Sequence, residues 1–204
     1  MLFDAPREEE KKPNIKPEII QKLCETYKQE VSAEDIFYYI YGVLYSNVYR
    51  QKYNEFLKID FPKAPFTTEP KLFFAIAKIG KDLTDLHLLK SLKLEKPTAK
   101  FPKSTSSVLK NGLVEKRNYQ PQQKRIYIND EQYFEGIEAD VWHYHIGGYQ
   151  ILDKWLKDRV GKRLSFEEVG HYLKIITVLQ NTINLQKKVD ELYPEIEKNL
   201  MQLP

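Results

Sequence analysis

Two residue patterns in this 204-residue chain have the types and spacing for chemistry or binding. The first would be catalytic or metal-ligating. His143 and His145 stand two apart, which on a strand puts two imidazoles on one face. A catalytic metal takes a third protein ligand, and none lies near in the sequence. Aromatic neighbours make core-packed or hydrogen-bonded histidines the simpler reading, and His87 and His171, each inside a helical apolar stripe, receive the same one. Asp60, Glu131, Glu135 and Asp140 are scattered, without a spacing that suits paired acid–base work. The eight glycines form neither Gly-x-Gly-x-x-Gly nor Gly-Lys-Ser/Thr, the loops that bring backbone close to a phosphate. No Gly-x-Ser-x-Gly nucleophile elbow occurs. No active site emerges, and no metal or cofactor is expected in this chain.

The second pattern is one for binding a polyanion. Between Lys93 and Arg125 nine Lys/Arg face only Glu95 and Glu115, a local +7, although the whole chain carries only +3. Asp153 to Arg163 adds a further local +3. Duplex DNA is gripped by cations on its phosphates and read by Arg, Lys, Asn and Gln forks on base edges. Lys100, Lys103, Lys110, Lys116 and Arg117 supply the first class, and "YQPQQKR" the second, with Gln122, Gln123, Lys124 and Arg125 followed by Asn129. A solvated basic loop is the plainer reading of the same residues.

The elements that must position these groups can be read from periodicity. Residues 1–16 are charged and carry Pro6 and Pro13, the composition of a flexible arm. Pro17 opens a helix with Ile19, Leu23 and Tyr27 on one face. Ser32 with Asp35 signals the start of a long helix to about Lys58, where Phe37, Tyr41, Leu44, Tyr45 and Val48 form an aromatic stripe read as core. Three prolines in "IDFPKAPFTTEP" impose an extended connector, after which Thr68 is placed to cap a helix striped by Leu72, Ile76, Ile79, Leu83 and Leu86. From Lys93 the character changes to Pro97, Pro102, Pro121, an Asn111-Gly112 turn and short β-favouring runs such as "RIYI". The alternation in "DVWHYHI" predicts a further strand. Ile151, Leu152, Trp155 and Leu156 then stripe a short helix stopped by Gly161. Ser165 and Glu168 make a capping box for a helix from Phe166 to about Leu192 with two apolar seams.

The expected fold is α+β: a mostly helical scaffold at 17–92, a small loop-rich β-region at about 96–146 within a recognition part at 93–146, and a helical C-terminal part at 147–204. These parts are expected to pack as one domain. No run approaches the roughly 18 apolar residues of a membrane span, "MLFDAPREEEKKP" lacks a signal-peptide core, and a lone Cys24 fits a reducing compartment. The chain therefore reads as cytoplasmic, with no membrane partner.

Long stretches also resemble a known family. "DIFYYIYGVLYSNVYRQKYNEFLKIDFPKAPF", "LFFAIAKIGKDLTDLHLL", "RIYINDEQYFEGI", "VWHYHIGGYQILDKWLKDRVGKRLSFEEVGHYLKII" and "TINLQKKVDELYP" occur in the same order in the C-terminal specificity region of type ISP restriction-modification enzymes and of related helicase-associated adenine-specific DNA methyltransferases. The resemblance runs through nearly the whole chain from about Leu2, with "GGYQ…KWLKDR" and "LSFEEVGHY" its most specific motifs.

The resemblance implies a non-catalytic target recognition domain for double-stranded DNA. Its partners would be methyltransferase and helicase domains of the parent polypeptide or of an adjacent subunit. S-adenosylmethionine, ATP and Mg would belong only to those upstream domains, because the Asn/Asp-Pro-Pro-Tyr/Phe signature and a helicase phosphate loop are absent here. The Met1 start fits a split gene or a cloned fragment. Recognition is then expected at about Lys96–Asn129, with Lys154, Lys157, Arg159, Lys162 and Arg163 as further phosphate candidates. Two other readings are a helical protein-interaction module, with DNA read elsewhere, and a stand-alone nuclease.

Overall fold

The computed structural model describes residues 13–102 and 111–203. Two compact units can be drawn, one taking the chain up to Gly80 and from Val189 onward, the other Lys81–Lys188. The expected arm at 1–16 lies mostly outside the described residues. Among the described residues no helix is long and apolar enough to cross a membrane.

In the first unit, Pro17 begins α1 (Pro17–Tyr27) at a position where a missing N–H removes no helical bond. Lys28 ends it with a left-handed φ of 55°. Ser32 and Asp35 form the expected box, each side chain accepting the other's backbone N–H at 3.0 Å, and start α2 (Ala33–Tyr45). The single long helix expected to Lys58 does not form. The chain turns extended at Ser46 and restarts as α3 (Asn47–Lys52). Asp190 explains the break: its carboxylate accepts from the Ser46 hydroxyl (2.8 Å), Asn47 N–H (2.7 Å), Val48 N–H (3.2 Å) and Asn47 Nδ2 (2.9 Å). Those first-turn N–H groups have no partner inside their own helix, and a carboxylate there is also favoured by the helix dipole. A residue 143 positions away in sequence thus sets the boundary, where local periodicity carries no sign of it.

The aromatic stripe is corrected as well. Helix α2 buries Ile36, Tyr39, Gly42 and Val43, while Phe37 is 50% exposed and Val48 36%. The buried face lies close on α4 (Pro70–His87), since a Cβ at Gly80 would stand 1.8 Å from the Tyr38 carbonyl oxygen and one at Gly42 2.9 Å from that of Ile76. Tyr39 stacks on Phe73 at 4.6 Å, and Phe66, Tyr27, Tyr193 and Ile196 fill the same core. Three tyrosine hydroxyls donate to the proline-rich connector: Tyr27 to Thr67 O (2.6 Å), Tyr39 to Pro65 O (2.8 Å) and Tyr49 to Lys63 O (3.1 Å). Thr68 does not cap α4. Thr67 Oγ1 accepts Glu69 N–H instead, at 3.1 Å, and the Thr68 backbone N–H donates to Asn199 O at 2.7 Å.

In the second unit, β1 (Asn118–Gln120), β2 (Arg125–Tyr127) and β3 (Tyr133–Glu135) form an antiparallel sheet in that order, with Tyr119 opposite Ile126 and Ile126 opposite Phe134. Ile126, Ile128 and Phe134 are buried with Tyr172 and Ile176 of α7 (Phe166–Lys198), Phe134 meeting Tyr172 edge-on at 4.6 Å. The strand expected at "DVWHYHI" is corrected. Val141 and Trp142 are neighbours and both buried, which a strand with one open face does not allow. They close a helical turn, α5 (Ala139–Trp142), on the Glu138 carbonyl.

A two-stranded ribbon follows, β4 (His145–Ile146) with β5 (Tyr149–Gln150), and then α6 (Ile151–Lys157). Helix α6 ends at Lys157 with Asp158 as its C-cap, ahead of the expected Gly161 stop; Gly161, with φ 80°, sits in the turn that follows and donates its N–H to Val114 O at 2.8 Å. The Ser165–Glu168 box is present at 3.0 and 3.1 Å. Helix α7 runs past the expected Leu192 and through Pro194 to Lys198, with Tyr193 and Ile196 buried beside the proline. Helices with small antiparallel sheets make the fold α+β, as expected.

Candidate nucleic-acid interface

The candidate site is built on the β1–β2 connection. Pro121 opens a single 3-10 turn, Pro121–Gln123, and Lys124 takes a left-handed φ of 52° that returns the chain into β2. Gln122, Gln123 and Lys124 therefore stand exposed at a tip whose stem is pinned from below. Tyr119 Oη donates to Ile137 O at 2.9 Å, and Ile137 N–H donates to Lys124 O at 3.0 Å. Tyr119 also stacks on Trp142 at 5.4 Å. Gln123 Oε1 accepts from Tyr127 Oη at 2.8 Å, which orients one glutamine.

The other two base-reading candidates sit differently. Arg125 lies 4.1 Å over the Tyr133 ring and 3.2 Å from Glu135, its cross-strand neighbour, so reaching a base edge would break both contacts. Asn129 is fully buried. Its Oδ1 accepts Glu131 N–H (2.9 Å) and Gln132 N–H (2.8 Å) while Nδ2 donates to Leu113 O (2.9 Å). Asn129 builds the turn before β3, and its reading as a base contact is withdrawn, since an amide enclosed by its own turn cannot meet a groove.

The phosphate candidates divide by how their charge is held. Arg117 pairs with Asp153 at 2.7 Å, both about 30% exposed. Arg159 lies 3.6 Å over Trp155 and 3.0 Å from Glu168. Both are fixed parts of the fold. The Ser165 N–H holds the Glu168 carboxyl below the usual range, with Arg159 adding to the effect. Arg163 donates to Asn111 O at 2.9 Å. Lys116 pairs with Asp130 and Lys124 with Glu138, each at 2.6 Å and well exposed, and Lys154 pairs with Asp158. Exposed pairs of the Lys116 and Lys124 kind contribute only about 0–1 kcal/mol, so those two lysines can exchange a carboxylate for a phosphate at little cost. Lys100, Lys157 and Lys162 are exposed, and no carboxylate among the described residues pairs with them. Lys103 and Lys110 lie outside the described residues.

Sequence reasoning weighed His143 only as core or ligand: it is exposed and meets Tyr119, under the tip, edge-on at 6.2 Å, a placement that follows from the long-range Tyr119–Trp142 stack. Of the two spaced histidines, both exposed rather than core, His145 is hydrogen-bonded, its Nδ1 donating to the His143 carbonyl at 2.6 Å. Among the described residues no three His, Cys, Asp or Glu side chains group as a metal site.

A sequence profile described as Type ISP C-terminal specificity domain matches residues 2–188. Comparison with curated proteins gives no match. Among solved structures, the chain is similar to the ATP-dependent Type ISP restriction-modification enzyme LlaBIII bound to DNA, with TM-score 0.60, 24% identity, and 86% of this chain against 12% of that one. A nuclease-deletion mutant of the Type ISP enzyme LlaGI, in complex with a DNA substrate mimic, gives TM-score 0.56 and 22% identity over 78% of this chain and 14% of that one. A DrdV–DNA complex gives TM-score 0.55 and 20% identity over 86% and 19%. The chain thus spans 12–19% of the length of these solved relatives.

Proposed function

Because the chain belongs to the family of Type ISP C-terminal specificity domains, we propose that it is the sequence-specific double-stranded DNA recognition module of a restriction-modification adenine methyltransferase, without catalysis of its own. The observation that carries this reading is the exposed Gln122-Gln123-Lys124 tip, held on a stem of stacked rings and backbone bonds. Glutamine presents the paired donor and acceptor that match adenine N6 and N7, and lysine the donors that match guanine O6 and N7. A rigid stem lowers the entropy lost when such a fork docks. Lys100, Lys157 and Lys162, with Lys116 and Lys124 after exchange, supply the cations that fix register on the phosphates. Methyl transfer, and the S-adenosylmethionine, ATP and Mg it and translocation need, belong to upstream methyltransferase and helicase domains that dock on this chain.

The test is selection of bound duplexes from a randomised pool by the purified chain. Gln122→Ala with Gln123→Ala should relax preference at one or two base positions, each good fork contributing about 1–3 kcal/mol of discrimination. Lys157→Glu should weaken all duplexes alike. If the chain enriches no sequence, or the double glutamine variant enriches the same one as the parent chain, the reading fails.

A second reading is favoured by a separate observation. Phe56, Ile59 and Phe61 are 66%, 81% and 88% exposed, and Phe56 and Phe61 line a pocket of about 320 Å³, the kind of apolar patch that a protein partner covers. On that reading the chain docks catalytic domains and DNA is read elsewhere, so Lys124→Glu together with Lys157→Glu would leave DNA binding unchanged.

A further inference from the structure

The β4–β5 ribbon is largely bare: His145, Ile146, Gly147, Gly148 and Tyr149 are all exposed. Ile146 and Tyr149 face each other across it and are 55% and 63% exposed. Its apex is Gly147-Gly148, where an added Cβ would meet nothing within 4 Å. Free-standing apolar side chains on so small an element contribute nothing to the core, yet the element is firmly placed. Gln150 Nε2 donates to Trp142 O at 2.7 Å, and Ile151 N–H donates to Tyr144 O at 3.2 Å. Trp142 in turn stacks on Tyr119, the residue beneath the Gln122–Lys124 tip. Ribbon and tip are therefore fixed to one another through Gln150, Trp142 and Tyr119.

We propose that the β4–β5 ribbon is a second DNA contact, one that enters a groove beside the recognition tip and adds affinity without reading sequence. This rests on the DNA-recognition reading above. Three observations favour nucleic acid as the occupant. The ribbon has only two strands, and a two-stranded ribbon, like a helix, is what the roughly 12 Å major groove admits. No acidic residue stands between Asp140 and Asp153 in a chain that has 29 of them, so nothing on the ribbon repels phosphate, and exposed His143 stands just before it. The paired glycines leave backbone N–H groups open to close approach by sugar or phosphate. Ile146 and Tyr149 bring apolar surface, which meets sugars or base faces, and neither offers the double hydrogen-bond fork that tells one base pair from another.

The test uses the purified chain and fluorescein-labelled duplex oligonucleotides of several sequences, followed by anisotropy over a salt series. Tyr149→Ala should weaken every duplex by the same factor, on the order of tenfold, while the slope of log K against log salt stays that of the parent chain because no phosphate contact is lost. Tyr149→Phe should restore most of the affinity. Lys157→Glu, by contrast, should flatten the slope by about one. Unchanged melting by circular dichroism is expected for Tyr149→Ala, given its exposure. The proposal is overturned if Tyr149→Ala and Ile146→Ala bind like the parent while Lys157→Glu is weakened, a result that leaves the recognition reading standing. It is also overturned if Tyr149→Ala changes the order of preferred sequences. Failure of the parent chain to bind any duplex at low salt would remove the recognition reading, and the ribbon contact with it.

Discussion

Gln132 lies at the junction that carries the recognition sheet, and its replacement by leucine should be among the more damaging single changes in that unit. The side chain is 2% exposed. Its Oε1 accepts the Gly112 N–H at 2.6 Å and Asn129 Nδ2 at 3.3 Å, and its Nε2 donates to Asn111 Oδ1 at 3.1 Å. Leucine has similar bulk, so no large cavity opens and the cost is polar. Gly112 is buried, and its N–H would lose its partner; an orphaned buried donor costs about 1–3 kcal/mol. Asn129 keeps its bond to Leu113 O, and exposed Asn111 can turn to water, so these two losses are small.

A total of about 2–3 kcal/mol is expected, or roughly 4–12 °C in Tm for a chain of this size. Urea unfolding followed by circular dichroism, with unchanged m-value, would measure it. Gln132→Glu distinguishes the mechanism: it keeps the acceptor for Gly112 but buries a charge and faces an oxygen toward Asn111, so it should be no better than leucine at neutral pH and recover in part in mild acid as the carboxyl protonates. A loss under about 0.5 kcal/mol for Gln132→Leu would refute the reasoning.

Asp190→Ala removes four acceptor contacts at the start of α3 and should cost about 2–4 kcal/mol from lost capping and charge-assisted bonds, read by the same unfolding assay, with Asp190→Asn losing less. Burial pushes the phenols of Tyr27, Tyr39, Tyr49, Tyr119, Tyr172 and Tyr193 above their usual value near 10. Each such shift stabilises the fold fully below pH 10 and is lost as pH rises beyond it, so an ultraviolet titration of the 14 tyrosines should show these six ionising late and together with unfolding. For Glu168 the sign is opposite. Its depressed carboxyl supports the start of α7 at neutral pH and loses that contribution as pH falls below the ordinary glutamate range, so Glu168→Gln should melt with a weaker acid dependence than the parent.

What the sequence made legible follows the range of each interaction. The Ser32 and Ser165 boxes and the Pro17 start are set within four residues, and all were readable. The "RIYI" strand was readable too, because its alternation and its turn lie side by side. The break at Ser46 was not, since its cause is Asp190, and the burial of α2 on the face opposite the aromatic stripe depends on Gly42 and Gly80 permitting close approach by α4. In the candidate site, residue types pointed to the Gln122–Lys124 tip, but they could not separate the held arginines from the open lysines. That division comes from cross-strand and long-range partners such as Glu135, Asp153 and Glu168. Asn129 shows the same limit: as a type it suits a base edge, and only the fold turns it inward.

The sheet behind the tip has unequal edges. Beyond β3, Lys100 and Glu135 exchange both backbone bonds at 3.0 and 2.9 Å, so that edge is covered. Variation can then be confined to the β1–β2 connection. Gln122, Gln123 and Lys124 are exposed and contribute little to stability, and substitutions at such positions usually stay within about 0.5 kcal/mol. Lineages descending from such a molecule can try new side chains, or a longer turn, at this tip without risking the fold. On the proposed reading, this tip is a region where mutation is nearly neutral for folding and consequential for DNA recognition.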